Sequence, residues 1–275
     1  MNTLKKTVDY LVQKQYWVSF CAAGLAGFVQ RLSGSENYRK SLFVFFSTLV
    51  IYNLNRTLRW YVHGSENKWQ VPVWKRIREA PHVFLVGVTG VAVLLFNMPL
   101  YAVYALAPAF IFGFFYTMPL YYAKAKYISL RRVKGVKIFL IAISWGLAIG
   151  VFPLENYSSG WQSFSLISLF VIGIGIPFDI RDLVCDPPQL KTLPQLLGKT
   201  KAKAIALLCL SGSYIFLCAL NPLLVYKLAY AVSLSVTGLL ICRSSIQKPN
   251  FYYSFWVEGC SLLPLLLSLV FGLWV

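Results

Sequence analysis

Long apolar stretches, separated by short polar and basic segments, make up most of this chain. A helix needs about 20 mostly apolar residues to cross the hydrocarbon core of a bilayer. Nine stretches come close to this length: 10–32, 40–60, 80–98, 100–122, 136–153, 161–180, 202–220, 222–242 and 252–275. Turns at Asn97-Met98-Pro99 and Asn221-Pro222 separate neighbouring stretches. The pattern predicts a single all-α membrane domain, residues 1–275, built as a bundle of about nine transmembrane helices.

The composition agrees with this prediction. Of the 275 residues, 58% are hydrophobic and 13% are charged, and the mean hydropathy is +0.63. Soluble domains carry about a quarter of charged residues, and chains that stay unfolded in water combine low hydrophobicity with high charge. Both classes are therefore excluded.

The basic residues outnumber the acidic ones by 26 to 9, which first suggests an anionic partner such as a nucleic acid. With the N-terminus in the cytoplasm, however, 22 of the 26 fall in the tail and loops on the cytoplasmic side. Only Arg31, Arg39, Lys40 and Lys227 do not. Membrane proteins show this asymmetry as a consequence of topology. We therefore expect the N-terminus inside, the C-terminus on the opposite side, and no nucleic-acid partner.

The six cysteines and two histidines do not predict a disulfide framework or a zinc site, because the chain has no C-x-x-C pair and no histidine pair at metal spacing. It also lacks the GxxxxGK[ST] and GxSxG motifs.

Three of the nine acids, Asp179, Asp182 and Asp186, lie within eight residues at the cytoplasmic end of the sixth predicted span. On a continuous helix they project at about 0°, −60° and −20°, so they share one face. Their mutual repulsion requires a cation nearby. One interpretation is Mg²⁺, held by these carboxylates together with a phosphorylated substrate. The alternative is an acidic cap neutralised by Arg181 and the lysines of 191–203. Pro187 and Pro188 also favour a loop position for Asp186.

The motif Asp179-x-x-Asp182-x-x-x-Asp186, with Leu190-Lys191-Thr192-Leu193-Pro194 and Gly198 after it, resembles the second aspartate-rich motif of the UbiA superfamily of intramembrane prenyltransferases. The resemblance extends to 116–120 with the basic loop that follows, and to 133–138 with Trp145. The number of predicted spans and the basic loops after even-numbered spans are also similar to that family.

This resemblance implies a helical bundle with a central apolar cavity that holds the tail of an isoprenyl diphosphate. In the family, aspartate-rich motifs at the cytoplasmic ends of spans two and six hold the diphosphate through Mg²⁺. The allylic C–O bond ionises, and an acceptor such as an aromatic ring attacks the carbocation. Basic groups and a dry cavity suit this chemistry.

The first motif departs from the family pattern, which has aspartates after its leading asparagine. Here Asn53 is followed by Asn55, Arg56 and Arg59 and by no aspartate. The two arginines could contact the diphosphate directly, since guanidinium groups suit bidentate phosphate binding. Alternatively, the protein no longer catalyses prenyl transfer. The family also has a Y-x-x-x-K element after its fourth span, and this element is displaced here. Leu120 stands four residues after Tyr116, so only Tyr122 with Lys126 fits the pattern, with a shift along the chain.

The leading hypothesis is a UbiA-like prenyltransferase that binds a polyprenyl diphosphate through Mg²⁺ and transfers the prenyl group to a lipophilic acceptor. The predicted roles are as follows: catalytic, Asp179, Asp182 and Arg56; substrate-binding, Asn53, Asn55, Arg59, Tyr116, Tyr122, Lys126, Arg181 and Lys191; metal-binding, Asp179, Asp182, Asp186 and Asn53.

A second hypothesis is a catalytically silent relative that serves as a lipid-binding or scaffold subunit of a membrane complex. A secondary transporter ranks last, because no internal repeat is evident. Glu258, inside the last span, is either a pocket residue or a solvated carboxylate paired with Arg243 or Lys248.

Overall fold

The computed structural model describes residues 3–35, 38–63, 81–100, 103–104, 106–109, 111, 119–123, 126–129, 135–186 and 190–273. The α-helices in these residues are α1 (Thr3–Gln13), α2 (Tyr16–Leu32), α3 (Arg39–His63), α4 (Pro81–Phe96), α5 (Lys137–Trp145), α6 (Gly160–Arg181), α7 (Leu193–Ala219), α8 (Leu224–Arg243) and α9 (Leu263–Gly272). A π-helical segment, Gly146–Val151, continues α5, and another, Tyr252–Val257, precedes α9. Short 3-10 segments, Tyr157–Ser159 and Asp182–Val184, flank α6.

The first predicted span begins later than expected. Gln15 has a left-handed backbone (φ 69°) that separates α1 from α2, and its side-chain amide donates to the carbonyls of Val12 and Gln13, each at 3.1 Å. In the sequence of α1, apolar residues such as Val8 and Leu11 alternate with charged ones at helical spacing. This amphipathic pattern is typical of a helix that lies at a membrane surface. The predicted start at residue 10 is therefore wrong, and the apolar helix begins at Tyr16.

The helix α6 lies at the centre of the fold. In an apolar stretch of 18 residues along this helix, 67% is buried inside the fold, compared with 28% in α7 and 33% in α8. It packs against α5, the π-helical segment after it, and α7. Gly173 allows the close approach of α7, because a Cβ there would lie 2.7 Å from a methyl group of Leu210. A central helix of this kind is apolar on all sides, whereas an outer helix exposes one face.

The outer helices expose large apolar side chains, among them Leu208 and Ile215 on α7 and Leu239 on α8. Apolar side chains on an outer surface are expected where lipid is the solvent. By length and composition, three helical segments of the described chain are able to cross a membrane: Tyr157–Val184, Leu193–Ala219 and Leu224–Arg243. Three shorter apolar helices, Pro81–Phe96, Lys137–Val151 and Leu263–Gly272, accompany them. Nine crossings therefore remain a prediction.

A short β-hairpin was not predicted. Strand β1 (Pro119–Ala123) pairs antiparallel with strand β2 (Lys126–Ser129), with Tyr122 opposite Tyr127 and Ala123 opposite Lys126. It occupies the last residues of the fourth predicted span and the start of the basic loop. The described residues outside this hairpin are otherwise helical or in turns.

Aromatic rings fill the space between α2, α6 and α8. Phe28 stacks on Tyr230 with ring centroids 5.6 Å apart, and Phe170 contacts the same tyrosine at 6.2 Å. All three side chains are fully buried. The Tyr230 hydroxyl donates a hydrogen bond to Ser213 Oγ on α7 at 3.1 Å. In this part of the bundle, buried side chains pack the helices closely against one another.

Candidate functional site

The acidic segment comprises Asp179, Asp182 and Asp186. It starts in the α-helix α6 and leaves helical geometry toward its C-terminal end. Helix α6 ends at Arg181, and the 3-10 segment begins at Asp182. The amide of Asp186 donates to the Asp182 carbonyl at 2.7 Å, which closes one further turn. Asp186 itself lies in the loop, as the following prolines predicted.

Lys137, at the start of α5, joins two of the three aspartates. Its ammonium donates to Asp179 Oδ1 at 2.7 Å and to Asp186 Oδ2 at 3.1 Å. The side chains are 11% (Lys137), 5% (Asp179) and 13% (Asp186) exposed, so these ion pairs are largely shielded from solvent. The three aspartates do not share one face of a continuous helix, because the helix ends at Arg181; Asp179 and Asp186 instead meet at the ammonium of Lys137.

Asp182 has a different partner. The guanidinium of Arg181 donates from Nε to Asp182 Oδ1 at 2.7 Å and from Nη2 to Oδ2 at 3.1 Å, a two-point contact. The same guanidinium lies over the rings of Phe178 and Tyr253, 5.1 Å and 5.7 Å from their centroids. Arg181 thus links the acidic segment to the last part of the chain.

The residues present do not fit the predicted Mg²⁺ site. A hard cation needs carboxylate oxygens that face no other cation, but Asp179 Oδ1 and Asp186 Oδ2 bind the Lys137 ammonium, whose charge repels a second cation beside it, and both oxygens of Asp182 bind Arg181. Within the described part of the chain, no three His, Cys, Asp or Glu side chains form a group that could hold a metal ion. Among the described residues, the cationic partners of the acidic segment are the side chains of Lys137 and Arg181.

Asn53 is buried on α3, and its side-chain amide donates to the Lys14 carbonyl at 3.1 Å and to the Leu49 carbonyl at 2.8 Å. The bond to Lys14 ties α3 to the break between α1 and α2, whereas the bond to Leu49 lies within α3. Lys191 is exposed and has a left-handed backbone (φ 46°). The predicted binding roles of both residues, and the metal-binding role of Asn53, remain predictions.

The other predicted site residues belong to segments whose side chains lie outside the described part of the structure. For Asn55, Arg56 and Arg59, only their place in α3 is described, and for Tyr122 and Lys126 only their place in the hairpin. Tyr116 lies outside the described residues. Their roles stay predictions.

Lys137 is the site residue that sequence reasoning missed. It was counted as one more basic residue of a cytoplasmic loop, and the neutralising role was given to Arg181 and to the lysines of 191–203. A usable signal existed, because Lys137 directly precedes an uninterrupted apolar run and a lysine at such depth needs a partner. Arg181 pairs with Asp182, as the acidic-cap interpretation expects, and its predicted substrate-binding role stays a prediction.

The comparison with solved structures identifies the fold. The apo structure of a UbiA homolog from Aeropyrum pernix K1 matches 93% of this chain and 95% of that chain, with a TM-score of 0.57 and 15% sequence identity. This chain has the UbiA fold. No family model matches the sequence, and no curated protein matches it.

The UbiA fold confirms, at the level of architecture, the resemblance that the sequence motifs predicted. Together with the long apolar helices, it indicates an integral membrane protein. At 15% identity the likeness concerns the fold alone, so the orientation of the termini stays a prediction.

Proposed function

We propose that the protein is an intramembrane prenyltransferase that binds a polyprenyl diphosphate and transfers its prenyl group to a lipophilic acceptor such as an aromatic ring. The observation that carries the proposal is the acidic segment at the end of α6, the central helix of a UbiA fold. Clustered ionisable groups at the end of an apolar membrane helix are costly and are kept mainly for function.

Charge decides which groups would meet the diphosphate. The three aspartates and their partners Lys137 and Arg181 leave one excess negative charge. That cluster alone repels an anion, so the diphosphate requires further cations. In the proposal these are Arg56 and Arg59 of α3, with Lys126 of the hairpin and Lys191 before α7, because guanidinium and ammonium groups bind phosphate strongly.

The proposed reaction needs only two reactants, the prenyl diphosphate and the acceptor. The allylic C–O bond breaks and its electron pair leaves with the diphosphate, whose developing charge Arg56 stabilises. The acceptor forms a bond to the allylic carbocation and then loses a proton to the released diphosphate. Asp179 and Asp182 act in this scheme by fixing Lys137 and Arg181, while Asn53, Asn55, Tyr116 and Tyr122 orient the head group.

Incubation of the purified full-length protein with labelled prenyl diphosphates and aromatic or lipid acceptors tests the proposal. We expect a prenylated product from the wild type and none from Asp182→Ala, because Arg181 then loses its two-point contact. Lys201→Gln, which changes an exposed lysine on α7, should leave turnover unchanged. Absence of both product and prenyl diphosphate binding in the folded wild type would refute the proposal.

A second candidate is a catalytically silent relative that binds lipid or supports a membrane complex. Two observations favour it: the carboxylates of the acidic segment are paired with Lys137 and Arg181, and the rings of Phe28, Phe170 and Tyr230 fill the space between α2, α6 and α8. A protein partner that copurifies in mild detergent, and that is retained by the Asp179→Ala variant, would support this candidate over the enzyme.

A further inference from the structure

The turn before Lys137 is hydrogen-bonded to the chain that follows the acidic segment. Gly135, two residues before Lys137, has a left-handed backbone (φ 72°), and its amide donates to the Leu190 carbonyl at 3.1 Å. The Gln195 side-chain amide donates to the Asp186 carbonyl at 3.3 Å. The start of α5 is therefore fastened to the loop that carries Asp186, and the ammonium is positioned before any ligand binds.

The ammonium and a divalent cation would compete for the same atoms. Mg²⁺ coordinates oxygen at about 2.1 Å and accepts only near-octahedral geometry. To bridge Asp179 Oδ1 and Asp186 Oδ2 it would have to displace the ammonium, which contacts these two oxygens at 2.7 Å and 3.1 Å. Displacement would leave a lysine with 9% exposure without its carboxylate partners, and an unpaired buried charge is strongly unfavourable.

We propose that Lys137 is the resident cation of the acidic segment and takes the position of a divalent metal, so that head-group binding does not depend on Mg²⁺. The part that concerns the head group rests on the proposed function. The part that concerns the metal rests only on Lys137 and its two aspartates.

The Lys137→Gln variant tests the metal part by thermal unfolding in detergent, in Mg²⁺ or in EDTA. The wild type should melt at the same temperature in both buffers. The variant leaves Asp179 and Asp186 without their shared cation, so Mg²⁺ at a hundred times its Kd should raise its Tm by about 5 °C. Lys201→Gln keeps the cluster intact and should behave as the wild type does.

Three results would overturn the inference: a wild-type Tm that rises in Mg²⁺ as much as that of the variant, a variant that is indifferent to Mg²⁺, and a variant that cannot be recovered folded in either buffer. A variant that is recovered folded only when purified in Mg²⁺ supports it. Mn²⁺ paramagnetic resonance provides a second readout, in which the variant binds the ion and the wild type does not.

Binding of a labelled prenyl diphosphate in the same two buffers tests the head-group part. Equal affinity in EDTA and in Mg²⁺ supports it, and a tenfold or greater loss in EDTA contradicts it. If the wild type binds no prenyl diphosphate in either buffer, the proposed function fails, while the metal part is still decided by the melting experiment.

Discussion

Replacing Lys137 with methionine should be among the most destabilising single changes in the described part of the chain. The substitution keeps the apolar stem and removes the ammonium, which leaves two carboxylates that are 5% and 13% exposed without their shared cation. Removal of one partner from a buried ion pair costs about 3–5 kcal/mol. We expect the free energy of unfolding to fall by about this amount.

A double-mutant cycle separates the ion pair from simple packing loss. Asp179→Asn leaves Lys137 paired with Asp186 and keeps an acceptor oxygen, so it should cost about 1–3 kcal/mol. The Lys137→Met/Asp179→Asn double variant retains only one unpaired carboxylate. Its loss should therefore be smaller than the sum of the two single losses by at least about 1.5 kcal/mol.

The assay is equilibrium unfolding in mixed micelles, followed by tryptophan fluorescence. Glu155→Gln is the matched control, because Glu155 is 45% exposed and lies 3.7 Å from Lys40, which also donates to the Leu154 carbonyl. Because Glu155 is half-exposed and Lys40 keeps its hydrogen bond to the Leu154 carbonyl, Glu155→Gln should cost about 1 kcal/mol at most. The reasoning is refuted if Lys137→Met costs no more than this control, or if the cycle is additive within about 0.5 kcal/mol.

Three further predictions concern the packing of the fold. Gly150→Ala should lower the free energy of unfolding by about 1–3 kcal/mol, because its methyl group would lie 2.6 Å from the Ser163 carbonyl oxygen. Gly160→Ala, with nothing within 4 Å, should be neutral in the same assay, and equal losses would contradict this account. Asn53→Leu removes the hydrogen bonds to the Lys14 and Leu49 carbonyls, so trypsin should cut after Lys14 about fivefold faster; an unchanged rate in a mass-spectrometric time course would count against it. Tyr230→Phe should cost about 1 kcal/mol, because the bond to Ser213 is lost while the stacking on Phe28 remains; a loss as large as that of Lys137→Met would show a larger role for the hydroxyl.

The sequence predicted most apolar helices, because the length of an apolar run is a local property. It failed where backbone geometry interrupts a run. Nothing in the apolar pattern marks the left-handed backbone of Gln15, and the break there separates an amphipathic helix from the first long one. The β1–β2 hairpin was missed for a similar reason, since Pro119 and the tyrosines after it are equally compatible with the end of an apolar helix.

For the candidate site, the positions of the three aspartates and the end of the helix before Asp186 were predictable from spacing and from the two prolines. The partner of Asp179 and Asp186 was not. Lys137 lies 42 and 49 residues away along the chain, and only the packing of α5 against α6 brings it to them. Ion pairs between distant segments leave no periodic signal in a single sequence.

The internal pairing of the acidic segment also determines how far its electric field reaches. Lys137 cancels one of the two carboxylate charges within a few ångströms, so Asp179, Asp186 and Lys137 together repel an approaching anion as one negative charge and not as two. The exposed lysines at 191 and 199 supply the long-range attraction for an anion. The rate of anion association should therefore fall as salt is added, while the rate of release, which depends on short-range contacts, should change little.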